Sequence, residues 1–264
     1  MIIKLTCLFV FAGIQGGDNE YTATENRGAF DKSHKGLTFG GIILAGVIVS
    51  VILFFYWKGT GEDRKAQMCY MISEILLLAL ITISTIVGML RLFNFIFNST
   101  STNTLDHALL LISANFLLVL ELFSLLSVIS YISQNGADIL LAAEVLEPII
   151  SIIQAMIQVA FINDGMQRVS IKDEHVCQKK GRGIITLLIV LNVAMWLFES
   201  FQEKRSDQTE EIEVYGQIAW AVIDSLAHPL ELFFYFHSAI CLSHMWHHCY
   251  KKPENNIFHN RLLG

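Results

Sequence analysis

Six apolar runs divide this 264-residue chain, and each has bilayer-spanning length or comes close to it. About 20 such residues are needed for an α-helix to cross the hydrocarbon core. The runs are Leu37 to Trp57, Cys69 to Leu90, His107 to Ile132, Ala142 to Ile162, Gly183 to Phe198, and Gly216 to Leu242 continuing toward His244. Short polar linkers separate them, including KGTGEDRK, SQNGAD and QEKRSDQTEEIE. With 53% hydrophobic and only 16% charged residues, the chain falls outside the soluble class, where about 25% are charged. The expected fold is all-α: a polytopic membrane protein built as a six-transmembrane-helix bundle.

The expected organisation is an N-terminal segment over 1–35, a membrane domain over 36–246 and a tail over 247–264. Lys and Arg concentrate in the loops on the side of both ends, for example Arg27, Lys32, Lys35, Arg91, Arg168 and Lys251. Such an excess marks the cytosolic side, so both termini are expected there. The Asn98-Ser99-Thr100 sequon then faces the cytosol and escapes glycosylation. MIIKLTCLFVFAGIQG conflicts with this, because a basic residue followed by a short apolar core resembles a secretory signal. Two readings remain open: a cleaved signal, or an upstream segment of a longer chain or start site. Residues 17–35 read as an exposed, poorly ordered arm.

A net charge of −6 offers no surface for nucleic acid. The five cysteines are odd in number and widely spaced, giving neither a disulfide framework nor a metal pair. His244, His247 and His248 fall at i, i+3, i+4 beside Cys249, but no fourth ligand is fixed, so an interfacial tail is preferred to a metal site. No nucleophile elbow, phosphate loop or HExxH occurs, and neither an enzyme nor a cofactor is implied.

The unusual residues are polar ones inside the runs, since an ionised side chain at mid-membrane costs about 2.5–3.5 kcal/mol on insertion scales. Glu74 lies in the second run and Glu121 in the third, among Ser124, Ser127 and Ser130. Glu147, Ser151, Gln154 and Gln158 are spaced by four, three and four, which places them on one face of the fourth helix. Such a stripe can bond across a bundle or hold water. Glutamine does not ionise near neutrality, so it would orient water without titrating. Asn192 is the amide of the fifth run. In the sixth, Asp224, His228 and Glu231 share a stripe that Tyr235 and Ser238 extend, whereas His237 faces elsewhere. For each residue, the functional reading as part of an ion path competes with buried acids, interhelical hydrogen bonds or packing.

Particular strings resemble the C-terminal half of an otopetrin, a family of proton-selective channels: KGLTFGGIILAGVIVSVILFF, YMISEILLLAL, SIIQAMIQVAFINDGMQR, GRGIITLLIVLNVAMWLFESF and YGQIAWAVIDSLAHPLELFFYFHSAICL. The resemblance covers roughly residues 35–246 and is weakest in the third run. It implies a six-helix half of a twelve-span protein with cytosolic termini in the plasma membrane. It also implies a proton path marked by Glu74, Gln154, Gln158, Asp164, Asn192 and His237. Glu121, Glu147, Asp224, His228, Glu231 and Tyr235 are secondary candidates. Implied partners are protons, membrane lipid with sterol among the candidates, and other subunits in a homo- or hetero-oligomer.

This chain departs from the family pattern at His228, where the pattern is apolar before Pro-Leu, and at Tyr235, where an arginine often stands. Its six runs match one half of the twelve-span pattern, which leaves two readings open: a truncated product or fragment of a longer protein, or a half-unit that assembles in four copies. The rival readings are a non-conducting interaction subunit that pairs with full-length channels, and a proton-coupled solute carrier. The carrier would need broken helices, and Pro229 is the one proline well inside a run.

Overall fold

A computed structural model describes residues 26–92, 96–97, 104–136, 139–169, 181–201 and 209–248. Its helices are α1 (Asn26–Gly59), α2 (Asp63–Leu92), α3 (Thr104–Asn135), α4 (Ile139–Gly165), α5 (Arg182–Ser200), the short α6 (Thr209–Tyr215) and α7 (Gln217–His248). A two-residue antiparallel ladder joins β1 (Ile96–Phe97) to β2 (Arg168–Val169), with Ile96 opposite Val169 and Phe97 opposite Arg168. The six long helices form the expected all-α bundle.

Five helices, α1 to α5, are long and apolar enough to cross a membrane. The sixth, α7, has the length, since 32 residues span about 48 Å at 1.5 Å per residue. Its apolar character is diluted by Asp224, His228, Glu231 and His237. Helix α1 begins upstream of its apolar run, so residues 26–35 of the segment expected to be poorly ordered have helical backbone. No proline interrupts NRGAFDKSHKG, and extending an existing helix is far easier than starting one. The signal-like stretch 1–16, residues 17–25 of the arm, Asn98, and the tail from residue 249 lie outside the described residues.

The helices close into a ring in which α1 packs on α2, α2 on α4, α4 on α3, α3 on α7, α7 on α5, and α5 on α1, with α2 also touching α5. Helix α5 is the most enclosed: 67% of its apolar window is buried, against 11% for α1. The α1–α5 contact depends on small residues. A methyl group on Gly36 would collide with the carbonyl of Gly183, and one on Gly40 would press on Val190. The outer faces carry Phe39, Ile42, Ile52, Leu76, Ile83 and Leu126, all exposed, as lipid contact requires.

Two prolines lie within continuous helices, Pro148 in α4 and Pro229 in α7. Pro148 corrects the expectation that Pro229 stands alone. Each removes one backbone hydrogen bond, yet neither breaks its helix, so the discontinuous helices of the solute-carrier reading are absent among the described residues. Glycines handle the turns: Gly181 before α5 has φ +90° and Gly216 before α7 has φ +80°, conformations that residues with a Cβ seldom adopt.

Candidate functional site

Interhelical contacts define two faces of the bundle. On one, the start of α3 meets the end of α7 through His237 and Asp106, and Arg182 at the start of α5 lies 3.7 Å from the ring of Trp246. The Trp246 indole N–H also donates to Thr186 Oγ1 at 3.1 Å. This is the terminal face, where α1 begins and α7 ends. On the opposite face, Gln67 Nε2 donates to Glu144 Oε1 at 2.7 Å, linking the starts of α2 and α4. Tyr70 Oη donates to Glu199 at 3.3 Å. There α6 docks on α3: Ser124 Oγ donates to Glu211 Oε1 at 2.9 Å, and Tyr215 Oη donates to the Phe123 carbonyl at 3.0 Å. Burial, then the neighbouring Glu211 charge, raises the Tyr215 phenol above its ordinary range.

Carboxylates are concentrated in the half of the bundle toward the opposite face. Glu74 on α2, Glu121 on α3, Glu147 on α4, Glu199 on α5 and Glu231 on α7 are all buried. Glu121 Oε1 accepts from Ser151 Oγ at 2.7 Å, joining α3 to α4. Glu231 Oε2 lies 3.3 Å from His228 Nδ1. Tyr235 is fully buried, its hydroxyl has no hydrogen-bond partner among the described residues, and it lies within electrostatic reach of Glu231, Glu199, Glu121 and Glu74.

Mid-bundle, three amides form a chain. Gln154 Nε2 donates to Gln158 Oε1 at 2.7 Å, and Gln158 Nε2 donates to Asn192 Oδ1 at 2.7 Å. Asn192 Nδ2 donates to the Leu188 carbonyl at 2.9 Å. A carbonyl can only accept, so the last bond fixes Asn192 Nδ2 as donor and its Oδ1 as acceptor. That in turn fixes both glutamines. The chain therefore runs in one direction and leaves Gln154 Oε1 as a buried acceptor with no donor among the described residues. A buried acceptor without a donor is uncommon in a folded interior and marks this end of the chain. Ser151, one helical turn before Gln154 on the same face, ties this end to Glu121.

Toward the terminal face the polar groups include three histidines, His107, His237 and His244. His237 Nε2 lies 3.1 Å from the Asp106 carbonyl and stacks on Phe233 with ring centroids 5.1 Å apart. His244 Nδ1 is 3.4 Å from Asp106 Oδ2. His107 Nδ1 is 2.7 Å from Asn163 Oδ1.

Of the sequence candidates, Gln154, Gln158 and Asn192 are thus brought together, as are Glu121 with Ser151 and His228 with Glu231. Two stand apart from the amide chain. Asp164, in the last turn of α4 and partly exposed, pairs at 2.6 Å with Arg168 of β2, just beyond the helix end. His237 bonds the start of α3 instead. Asp224 is only part-buried. Sequence reasoning missed Glu199, Asp106 and His107. The adjacent pair Asp106-His107 at the start of an apolar run was the available signal. His244 was grouped with its tail neighbours and bonds to α3 instead.

The family model described as Otopetrin matches residues 17–236. A search of curated proteins finds Proton channel OtopLc of Drosophila melanogaster, 31% identical over 225 residues. That match takes in 84% of this chain and 14% of the relative, so the chain spans about a seventh of the length of the curated relative it matches.

Proposed function

We propose that this chain, which belongs to the otopetrin family, conducts protons across a membrane through the polar interior of its helix bundle. The one-way amide chain Gln154–Gln158–Asn192 carries this reading, since it stands between buried carboxylates on one side and histidines on the other. Carboxylates and imidazoles take up and release protons; amides do not. The amide chain would hold a short file of water in fixed orientation, passing protons by hydrogen-bond exchange while offering no full coordination shell to Na⁺ or K⁺. Glu74, Glu121, Glu147 and Glu231 would gather protons at the opposite-face half, and His237 would stand at the far end of the path.

On this reading the chain is no enzyme. It resides in the plasma membrane with both ends in the cytosol, surrounded by lipid that includes sterol, and works in a homo- or hetero-oligomer. The Drosophila relative, named as a proton channel, supports protons as the conducted ion, and the charge asymmetry of the loops supports the orientation. Purified protein in liposomes under a pH gradient is the test. The reversal potential should follow the proton gradient and ignore Na⁺ and Cl⁻; no proton flux would sink the claim for this chain alone.

A second reading rests on the small share of the relative that the chain matches: a non-conducting partner of longer family members. Co-expression that alters a relative's current, with none from this chain alone, would favour it.

A further inference from the structure

A cluster at the terminal face carries an inference beyond the residues already assigned to the path. The first turn of α3 supplies Asp106 and His107, the last turn of α4 supplies Asn163, and α7 supplies His237, Cys241 and His244. Three contacts are explicit: His107 Nδ1 to Asn163 Oδ1 at 2.7 Å, His237 Nε2 to the Asp106 carbonyl at 3.1 Å, and His244 Nδ1 to Asp106 Oδ2 at 3.4 Å. Cys241 lies within electrostatic reach of Asp106.

The chemistry of His107 follows from its partner. The amide oxygen of Asn163 only accepts, so Nδ1 of His107 carries the hydrogen. A neutral imidazole has one N–H, which leaves Nε2 as a lone pair. That atom is buried and has no hydrogen-bond partner among the described residues. His237 is arranged the other way round, with Nε2 donating to a carbonyl. Its Nε2 is therefore committed, while the Nε2 of His107 is available.

We propose that His107 is the proton-accepting group at the terminal face of the bundle, taking its proton at Nε2 while Asn163 holds the ring. The inference rests on the conduction reading above. The step balances simply: a hydronium gives its proton to the Nε2 lone pair, an N–H bond forms, and a water remains; release reverses it. The Asp106 carboxylate on the same turn is engaged by His244 of α7. Other charged or titratable groups at this face among the described residues include Asp164 and Arg168, paired with each other, Arg182 against Trp246, and His247, whose ring meets Trp246.

Two measurements on the full chain test it. Nitrogen-15 NMR of histidine-labelled protein in lipid nanodiscs should show His107 with hydrogen on Nδ1 at neutral pH, and a second N–H appearing at Nε2 on acidification. Asn163→Leu removes the acceptor that holds the ring, so the hydrogen should no longer be confined to Nδ1. An Nε2–H tautomer in the unsubstituted chain, or a ring that does not titrate, overturns the proposal. In liposomes, His107→Gln keeps a donor for Asn163, so the local bond survives. Flux should fall by about a hundredfold, the lower range for a positioned proton-transfer group, and lose its dependence on terminal-face pH while keeping that on the other face. Unchanged flux and pH dependence also overturn it. Absence of flux from the unsubstituted chain overturns conduction by this chain, and the NMR result then decides the proton site by itself.

Discussion

Gln158 donates to Asn192 across the α4–α5 contact at 2.7 Å, and the direction of that bond is set two links away by the Leu188 carbonyl. Polarity in a buried amide chain is thus imposed by backbone. Asn192→Leu removes both the acceptor and the link to the carbonyl. Thermal melts of the detergent-solubilised protein should show a loss of about 1–3 kcal/mol, the cost of leaving the Gln158 amide hydrogens buried without a partner. Proton flux should drop with it. Gln158→Glu should tell the two effects apart, because it keeps the shape but introduces a titrating group, making flux respond to pH where the amide did not.

The Glu121–Ser151 bond gives a second prediction. Ser151→Ala should cost about 0.5–1.5 kcal/mol, or up to about 3 kcal/mol if Glu121 stays ionised. Glu121→Gln should keep the packing but abolish any pH dependence of flux that arises at this carboxyl. Flux recorded while only the opposite-face pH is varied is the check.

Packing at α1 should discriminate sharply between neighbouring glycines. Gly36→Ala meets the Gly183 backbone, which has nowhere to go, and should destabilise by about 1–3 kcal/mol. Gly41→Ala has nothing within 4 Å and should be neutral or slightly stabilising. The comparison is read as the difference in melting temperature between two single-methyl additions on one helix.

Tyr215 supplies the pH prediction. Its phenol is raised above the ordinary value by burial and by Glu211. The folded state therefore holds this proton more tightly than the unfolded chain does. Its stabilising contribution is complete below the ordinary tyrosine range and is lost as pH rises through the raised value. Docking of α6 on α3 should be indifferent to pH near neutrality and loosen only in strong alkali. Tyr215→Phe should abolish that alkaline transition, as followed by protease cleavage of the α5–α7 linker.

The helices were legible because spanning length is a coarse signal, visible in LTFGGIILAGVIVSVILFFYW without any knowledge of partners. The amide stripe was legible for a related reason: the four, three, four spacing of Glu147, Ser151, Gln154 and Gln158 fixes a face before anything packs on it. What the stripe would meet was not visible, since Asn192 is an isolated amide in an apolar run and only the α4–α5 contact gives it a role. The carboxylates of different helices were read one at a time, and their concentration in one half of the bundle emerges only when antiparallel helices are laid side by side. Asp164 came from the family resemblance alone, and its partner Arg168, four residues on and just past the end of α4, is a local one that the chain order already offered.

Helix α7 is held unequally along its length. Its last turns are fixed by Asp106 of α3, by Arg182 and Thr186 of α5, and by Gly165 of α4, where Met245 fits only because no Cβ is present. Its first turns present Ile218, Val222 and Leu226 outward, and Pro229 takes one rung out of the backbone ladder between the two regions. Trp220, buried and stacked on Tyr215, ties those first turns to α6, so one continuous helix is held by α6 before Pro229 and by α3, α4 and α5 after it.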